Sequence, residues 1–278
     1  MKVLRELFVF LMFLLTVTSY RILGLFSYPG KSHLDLIIPV MKQLAANGHN
    51  ITVVSPTSLS TPQERYTDLS FQEAIPLRQE VYTTNEMNCI QSRIWTSYLD
   101  LFIKDNLIDA YCKAAYESDA LQKLLHSEED FDLVITEMFN SDCILAVNKK
   151  YKAPVIGMAT SIMMPWHPAR FGVPDNPSYL PTLFLDYSNR MKFFERVENT
   201  LVSLTHKFWF IMRQIKDDEI GAKYMNEFIE VASRFANNAS LLLVNSHYSL
   251  NGPRALTPNV IEIGGAHIGK PKRLPMMQ

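Results

Sequence analysis

The chain is poor in the features that announce the simpler classes of protein. Its 27 Lys and Arg are balanced by 28 Asp and Glu, so it carries no electrostatic footprint for nucleic acid, and no basic stripe interleaved with aromatics appears. Its three cysteines, Cys89, Cys112 and Cys143, lack metal-ligand spacing and are too few for a small disulfide scaffold. The odd number leaves at least one unpaired within a monomer. Beyond the amino terminus no apolar run is long and charge-free enough to be read as a membrane span. Glycine is missing where a phosphate loop would need it. Counting back from Gly30-Lys31-Ser32, the required slot holds Leu25, and Gly24 misses by one, so the spacing of a P-loop NTPase is not met.

What the chain does have is 278 residues with 47% hydrophobic composition, enough for one large domain with a substantial core. The first residues carry Lys2 and Arg5, and an apolar stretch from Leu7 to Val17 ends in Thr18 and Ser19, the layout of a cleavable secretory signal over residues 1–19. Two acceptor patterns for N-glycosylation, at Asn50 and Asn238, agree with a lumenal or secreted compartment.

After that segment, Arg21 to Ser27 reads as a buried strand, and a helix from about Leu34 to Asn47 sets Leu36, Ile37, Val40, Met41 and Leu44 on one face. Gly48 stops the helix, and Ile51 to Ser55 is the next strand. This β-α-β opening predicts an α/β fold, a Rossmann-like parallel sheet with helices on both faces. The stretch from Cys89 to His126 reads as helix, Phe131 to Thr136 as strand, Asp142 to Tyr151 as helix and Val155 to Ala159 as strand. Ser161 to Pro181, with five prolines beside Trp166, His167 and Phe171, cannot be regular structure, and its aromatics are candidates for a pocket wall. Phe193 to Ile215 reads as a helix apolar on a broad face; core packing explains it, and contact with a bilayer surface is the sharper alternative. Leu241 to Asn245 and Val260 to Gly264 close the sheet, and residues 269–278 read as an exposed linker.

Gly30-Lys31-Ser32-His33 places one imidazole between a strand and the start of a helix, the mouth of an α/β unit where small-molecule chemistry is usually done. A lone histidine is more often structural than catalytic. Here the positive potential at a helix amino terminus suits a neutral ring able to accept a proton.

The chain resembles the UDP-glycosyltransferases, particularly the insect UDP-glucuronosyltransferase-like enzymes. The resemblance rests on Gly30-Lys31-Ser32-His33, on Pro39-Val40-Met41-Lys42-Gln43-Leu44-Ala45 followed by Gly48-His49-Asn50-Ile51-Thr52-Val53, on Phe131 to Glu137, and on Pro258 to Gly265. It implies the GT-B arrangement of two Rossmann-like halves, of which residues 20–268 resemble the amino-terminal, acceptor-binding half. The donor-binding half and the terminal membrane helix of the family are not in this sequence. The resemblance further implies an inverting transfer of glucose or glucuronic acid from UDP-glucose or UDP-glucuronate, a co-substrate rather than a bound cofactor, to hydroxyls of small lipophilic acceptors. No metal is needed. His33 would be the general base.

Many family members place an aspartate at the end of the strand matching Phe131 to Thr136, where it orients that base; this chain has Glu137 there, with Asp142 in reserve as partner or as a helix cap. Trp166, His167 and Phe171 are the candidate acceptor contacts. The implied compartment is the lumen of the endoplasmic reticulum, with a membrane anchor in a full-length enzyme and homo- or hetero-oligomers as further partners. The competing expectation is a short non-catalytic product that binds lipophilic molecules or pairs with full-length relatives.

Overall fold

A computed structural model of the chain describes residues 19–74, 106–226 and 231–269. Most of the expected signal segment, Cys89, and nearly all of the expected linker lie outside the described residues. Seven strands, all parallel, form one sheet: β1 (Arg21–Leu25), β2 (Asn50–Ser55), β3 (Tyr66–Ser70), β4 (Leu133–Glu137), β5 (Val155–Ala159), β6 (Leu241–Val244) and β7 (Val260–Glu262). Their order across the sheet is β3-β2-β1-β4-β5-β6-β7. The chain therefore winds outward from β1 in one direction, returns, and continues from β4 in the other. The crevice between the carboxyl ends of β1 and β4 is the topological switch point, the place where open parallel sheets bind ligands.

The strands read as nearly continuous apolar runs because both faces of the sheet are covered. Successive side chains alternate between two cores. Ile22, Phe26, Ile51, Val53, Ile135 and Met158 meet α1 (Lys31–Ala46), which contributes Leu34, Leu36, Ile37 and Met41. Leu23, Leu25, Val54, Val134, Val155 and Ala159 face the opposite core. That core is closed by α2 (described over 106–117), α3 (Asp119–His126), a 3₁₀ turn (Cys143–Val147) with α4 (Asn148–Tyr151), the end of α6 (Phe193–Met225) and α7 (Ala232–Asn237).

Several local expectations are corrected. Helix α1 starts at Lys31 rather than near Leu34, which puts His33 in its first turn. The single helix expected up to His126 is broken at Ser118, whose extended backbone and side chain cap α3 by accepting from the Leu121 amide at 3.2 Å. Strand β3 was not expected at all. It is an edge strand with no fully buried residue, Thr67 being exposed and the rest half-buried, and Leu69 is its one aliphatic member. Helix α6 continues past Ile215 to Met225, because Asp217 and Asp218 in its last turns point inward. The Pro-rich stretch contains a short helix, α5 (His167–Phe171), with Pro168 near its start and Gly172 in the left-handed conformation at its end.

Cys112 and Cys143 form a disulfide that ties α2 to the turn after β4. Asn50 and Asn238 are both exposed. Among the described residues no helix is long and apolar enough to cross a membrane. The outer face of α6 is nevertheless apolar, with Phe194, Val197, Leu201, Leu204, Phe208, Ile211 and Ile215 all exposed.

Candidate functional site

Strand β1 runs into a short loop, Tyr28-Pro29-Gly30, and Gly30 occupies the amino-terminal cap of α1 without any side-chain cap hydrogen bond. A methyl group added at Gly30 would stand 2.5 Å from the Tyr28 ring and 2.9 Å from the His33 ring. Only glycine lets these two rings close over the helix start, where their centroids lie 4.6 Å apart. Phe139 packs edge-on against His33 at 4.7 Å and also against Tyr28 at 5.1 Å. The imidazole is thus one member of a three-ring cluster with aromatics contributed by the loops after β1 and β4.

Glu137, the last residue of β4, is aligned with this ring by the sheet itself. Leu25 is paired with Thr136 in the ladder, and the Thr136 hydroxyl donates to the Leu25 carbonyl at 2.8 Å. The strand ends that precede His33 and Glu137 are therefore fixed side by side. Glu137 Oε1 lies in close hydrogen-bonding contact with His33 Nδ1. The carboxylate side chain is 4% exposed and the imidazole 17%, so the pair is shielded while the ring keeps access to the surface.

A third residue, Thr160, completes the contact. Its Oγ1 is 2.8 Å from His33 Nδ1 and donates to Glu137 Oε1 at 2.7 Å. No sequence signal marked this threonine. It follows β5 directly, so the parallel order β1-β4-β5 delivers three consecutive strand ends to one point. Among the described residues no hydrogen bond engages His33 Nε2.

Beside this cluster opens a cleft of about 810 Å³, lined among others by Tyr28, Lys31, Ser32, Ile38, Tyr111 and Asn140. Its walls come from the first turns of α1, the loop after β2, helix α2 and the loop after β4. The volume is that of a small-molecule site.

The other expected site residues lie elsewhere. Asp142 does not touch His33. Its carboxylate is paired with Arg170, whose Nη1 donates at 3.1 Å, and it also accepts from Gln214 at 3.3 Å. It makes no side-chain cap hydrogen bond. Trp166, His167 and Phe171, expected on a pocket wall, are all buried and are not among the residues lining this cleft. Trp166 stacks on Phe210 with centroids 4.4 Å apart and donates its indole N–H to the Phe139 carbonyl at 2.9 Å. Phe171 belongs to the core on the α2 and α3 side of the sheet. His167 Nδ1 accepts from the Met164 amide at 3.2 Å. Burial, reinforced by the positive charge of Arg170, pushes its pKa down to about 3, so the ring is neutral. Trp166 supports the site only from beneath, by holding the backbone of Phe139.

The chain as a whole is similar to known proteins. A family model described as "UDP-glucoronosyl and UDP-glucosyl transferase" matches residues 27–278. The "UDP-glycosyltransferase UGT5" of Dactylopius coccus is 33% identical over 274 residues, covering 95% of this chain and 50% of that protein. The human "UDP-glucuronosyltransferase 1A9" is 24% identical over 266 residues, covering 88% of this chain and 47% of its own length. The chain thus spans about half the length of the curated relatives it matches. The solved structure of Phytolacca americana UGT2 with UDP-2fluoro-glucose and pterostilbene aligns at 14% identity and a TM-score of 0.42, over 89% of this chain and 54% of that one, a likeness too loose to argue from. With the family model matching all but the first residues, the chain that sets His33 and Glu137 at this switch point belongs to the UDP-glucuronosyl and UDP-glucosyl transferase family.

Proposed function

We propose that residues 20–268 are the acceptor-binding half of an inverting UDP-glycosyltransferase, which transfers glucose or glucuronic acid from a UDP-sugar to hydroxyls of small lipophilic compounds. The observation that carries this reading is the His33–Glu137 contact beside a cleft of small-molecule size. An acceptor seated in the cleft presents its hydroxyl to His33 Nε2. That nitrogen takes the proton as the acceptor oxygen attacks the anomeric carbon, and the bond to UDP breaks on the opposite face of the sugar. Glu137 then faces the imidazolium and compensates its charge. The UDP-sugar is held by a donor-binding half supplied by the remaining length of the relatives.

The test is His33→Ala in an enzyme carrying this half together with a donor-binding half. Turnover should fall by about 10³-fold or more, with the affinity for UDP-sugar nearly unchanged. A near-normal rate would overturn the assignment and leave the cleft as a binding site for lipophilic molecules.

A separate observation bears on where the protein sits. The exposed apolar stripe of α6 runs for six turns, and Arg190 and Lys192 lie exposed just before it. Such a face suits the interfacial layer of a bilayer. We assign the protein to the lumenal face of the endoplasmic-reticulum membrane, with glycans at Asn50 and Asn238. Flotation with neutral and anionic vesicles checks the contact. Wild-type protein should float, and a Leu204→Glu, Phe208→Glu variant should stay at the bottom.

A further inference from the structure

We infer that Thr160 is a positioning residue of this site: its hydroxyl holds His33 in the tautomer that carries the proton on Nδ1, which leaves Nε2 as the basic nitrogen. The inference rests on the base role proposed for His33.

The argument is a count of protons. His33 Nδ1, Glu137 Oε1 and Thr160 Oγ1 form a closed triangle in which every edge is short enough for a hydrogen bond. The carboxylate oxygen offers only lone pairs, and the threonine offers one proton. If Nδ1 lacked a proton, the single O–H could serve only one of the two edges that reach the threonine, and the ring's lone pair would face the carboxylate directly with no donor between them. With the proton on Nδ1, the arrangement closes. The Nδ1–H points between Oε1 and Oγ1, and the threonine O–H goes to Oε1. The threonine therefore adds what Glu137 alone lacks, a group that accepts from the ring while donating to the carboxylate.

Its position is fixed from behind. The Thr160 carbonyl accepts from Asn245 Nδ2 at 2.9 Å, and the Asn245 amide donates to the Ala159 carbonyl at 2.9 Å. Asn245 follows β6, so the neighbouring strand end pins the threonine backbone, and β-branching limits its side-chain rotation.

Thr160→Val keeps the shape and removes the hydroxyl, whereas Thr160→Ser keeps the hydroxyl. In the enzyme with both halves, Thr160→Val should lower kcat about tenfold while leaving KM for acceptor and UDP-sugar within about twofold, and Thr160→Ser should recover most of the loss. In this chain labelled with ¹⁵N-histidine, the wild-type His33 should give a protonated-type Nδ1 signal and an unprotonated-type Nε2 signal at neutral pH. Thr160→Val should move both toward a mixture. A wild-type kcat for Thr160→Val, or a serine variant no better than valine, would overturn the inference. So would an unprotonated Nδ1 in the wild-type spectrum, which needs no variant to fold. Loss of activity in His33→Ala alongside a normal Thr160→Val would reject Thr160 and keep the base, whereas an active His33→Ala would reject the base itself.

Discussion

Two acid-and-base clusters lie within a few residues of each other at the end of β4, and they are built to opposite specifications. At the cleft, Glu137 and Thr160 engage only one nitrogen of His33. Deeper in the molecule, Asp142 meets Arg170 and Gln214, while its backbone N–H donates to Asp217 at 2.7 Å. Asp217 also accepts from Ser141 at 2.8 Å and from Arg213 Nε at 2.9 Å. Asp142, Arg213 and Asp217 are all buried. The second cluster has its carboxylates saturated with donors, so it holds helix α6 to the turn after β4 and has no capacity for a ligand. The first leaves one ring nitrogen without a hydrogen bond among the described residues, which is the opening the proposed base role uses. Two carboxylates five residues apart thus sit in opposite settings, one closed by donors and one beside the cleft.

The sharpest way to break this contrast is in the closed cluster. Arg213→Met strands Asp217 in the interior and should cost about 3–5 kcal/mol, measured by chemical denaturation. A loss below about 1 kcal/mol would mean that the cluster is not a structural tie. Next in size is the exchange of roles between the two carboxylates. Glu137→Gln should lower kcat about a hundredfold with the denaturation midpoint nearly unchanged, whereas Asp142→Asn should lower the midpoint and leave the rate per folded molecule near normal. The reverse pattern would move the histidine's partner to Asp142.

A smaller effect is expected at Gly30. Alanine there must displace Tyr28 or His33, so the rate should fall about tenfold with little change in stability. Identical kinetics would show that the ring tolerates a shift.

The smallest effect concerns pH. His167 stays neutral when folded, with a pKa held down to about 3, and regains an ordinary value when unfolded. Between those two values the unfolded chain binds a proton that the folded chain does not, so stability falls as pH drops below about 6.5. Burial lowers His206 in the same direction. Between pH 7 and 5 the His167 contribution should amount to about 1–2 kcal/mol. His167→Asn, which can still accept from Met164, should show a flatter pH dependence than wild type, and equal slopes would contradict the neutral buried ring.

How much of this was legible beforehand depends on whether the signal was local. The parallel sheet was readable because buried strands are written as short apolar runs, and Ile22 to Phe26, Leu133 to Ile135 and Leu241 to Val244 are such runs. Strand β3 was not, since an edge strand that buries little need not be apolar. The end of α6 was hidden for the opposite reason. Lys216-Asp217-Asp218-Glu219 reads as a solvated turn, but Asp218 accepts from the Ser233 amide at 2.8 Å and Asp217 from Arg213, so two of those charges are internal ties.

His33 could be named because it opens a helix after a recognisable strand, and Glu137 because the family resemblance expects a carboxylate at the end of its strand; the structure brings them together. Thr160 could not, because its meaning lies in contacts across 127 and 23 residues of sequence. Trp166, His167 and Phe171 carried a real signal of importance that was read as exposure. Aromatics among prolines serve a binding surface or a small internal core equally well, and only the packing of Trp166 on Phe210 separates the two.

The disulfide has a consequence for how the cleft is held open. Tyr111 on one wall immediately precedes Cys112, and Asn140 on another lies three residues before Cys143. The covalent bond therefore works as a cross-brace between two sides of the same opening. The bridge joins none of the seven strands to one another, so its direct restraint falls on the walls rather than on the sheet. The spacing of the two walls of the cleft is in that sense tied to one covalent bond between residues 31 positions apart.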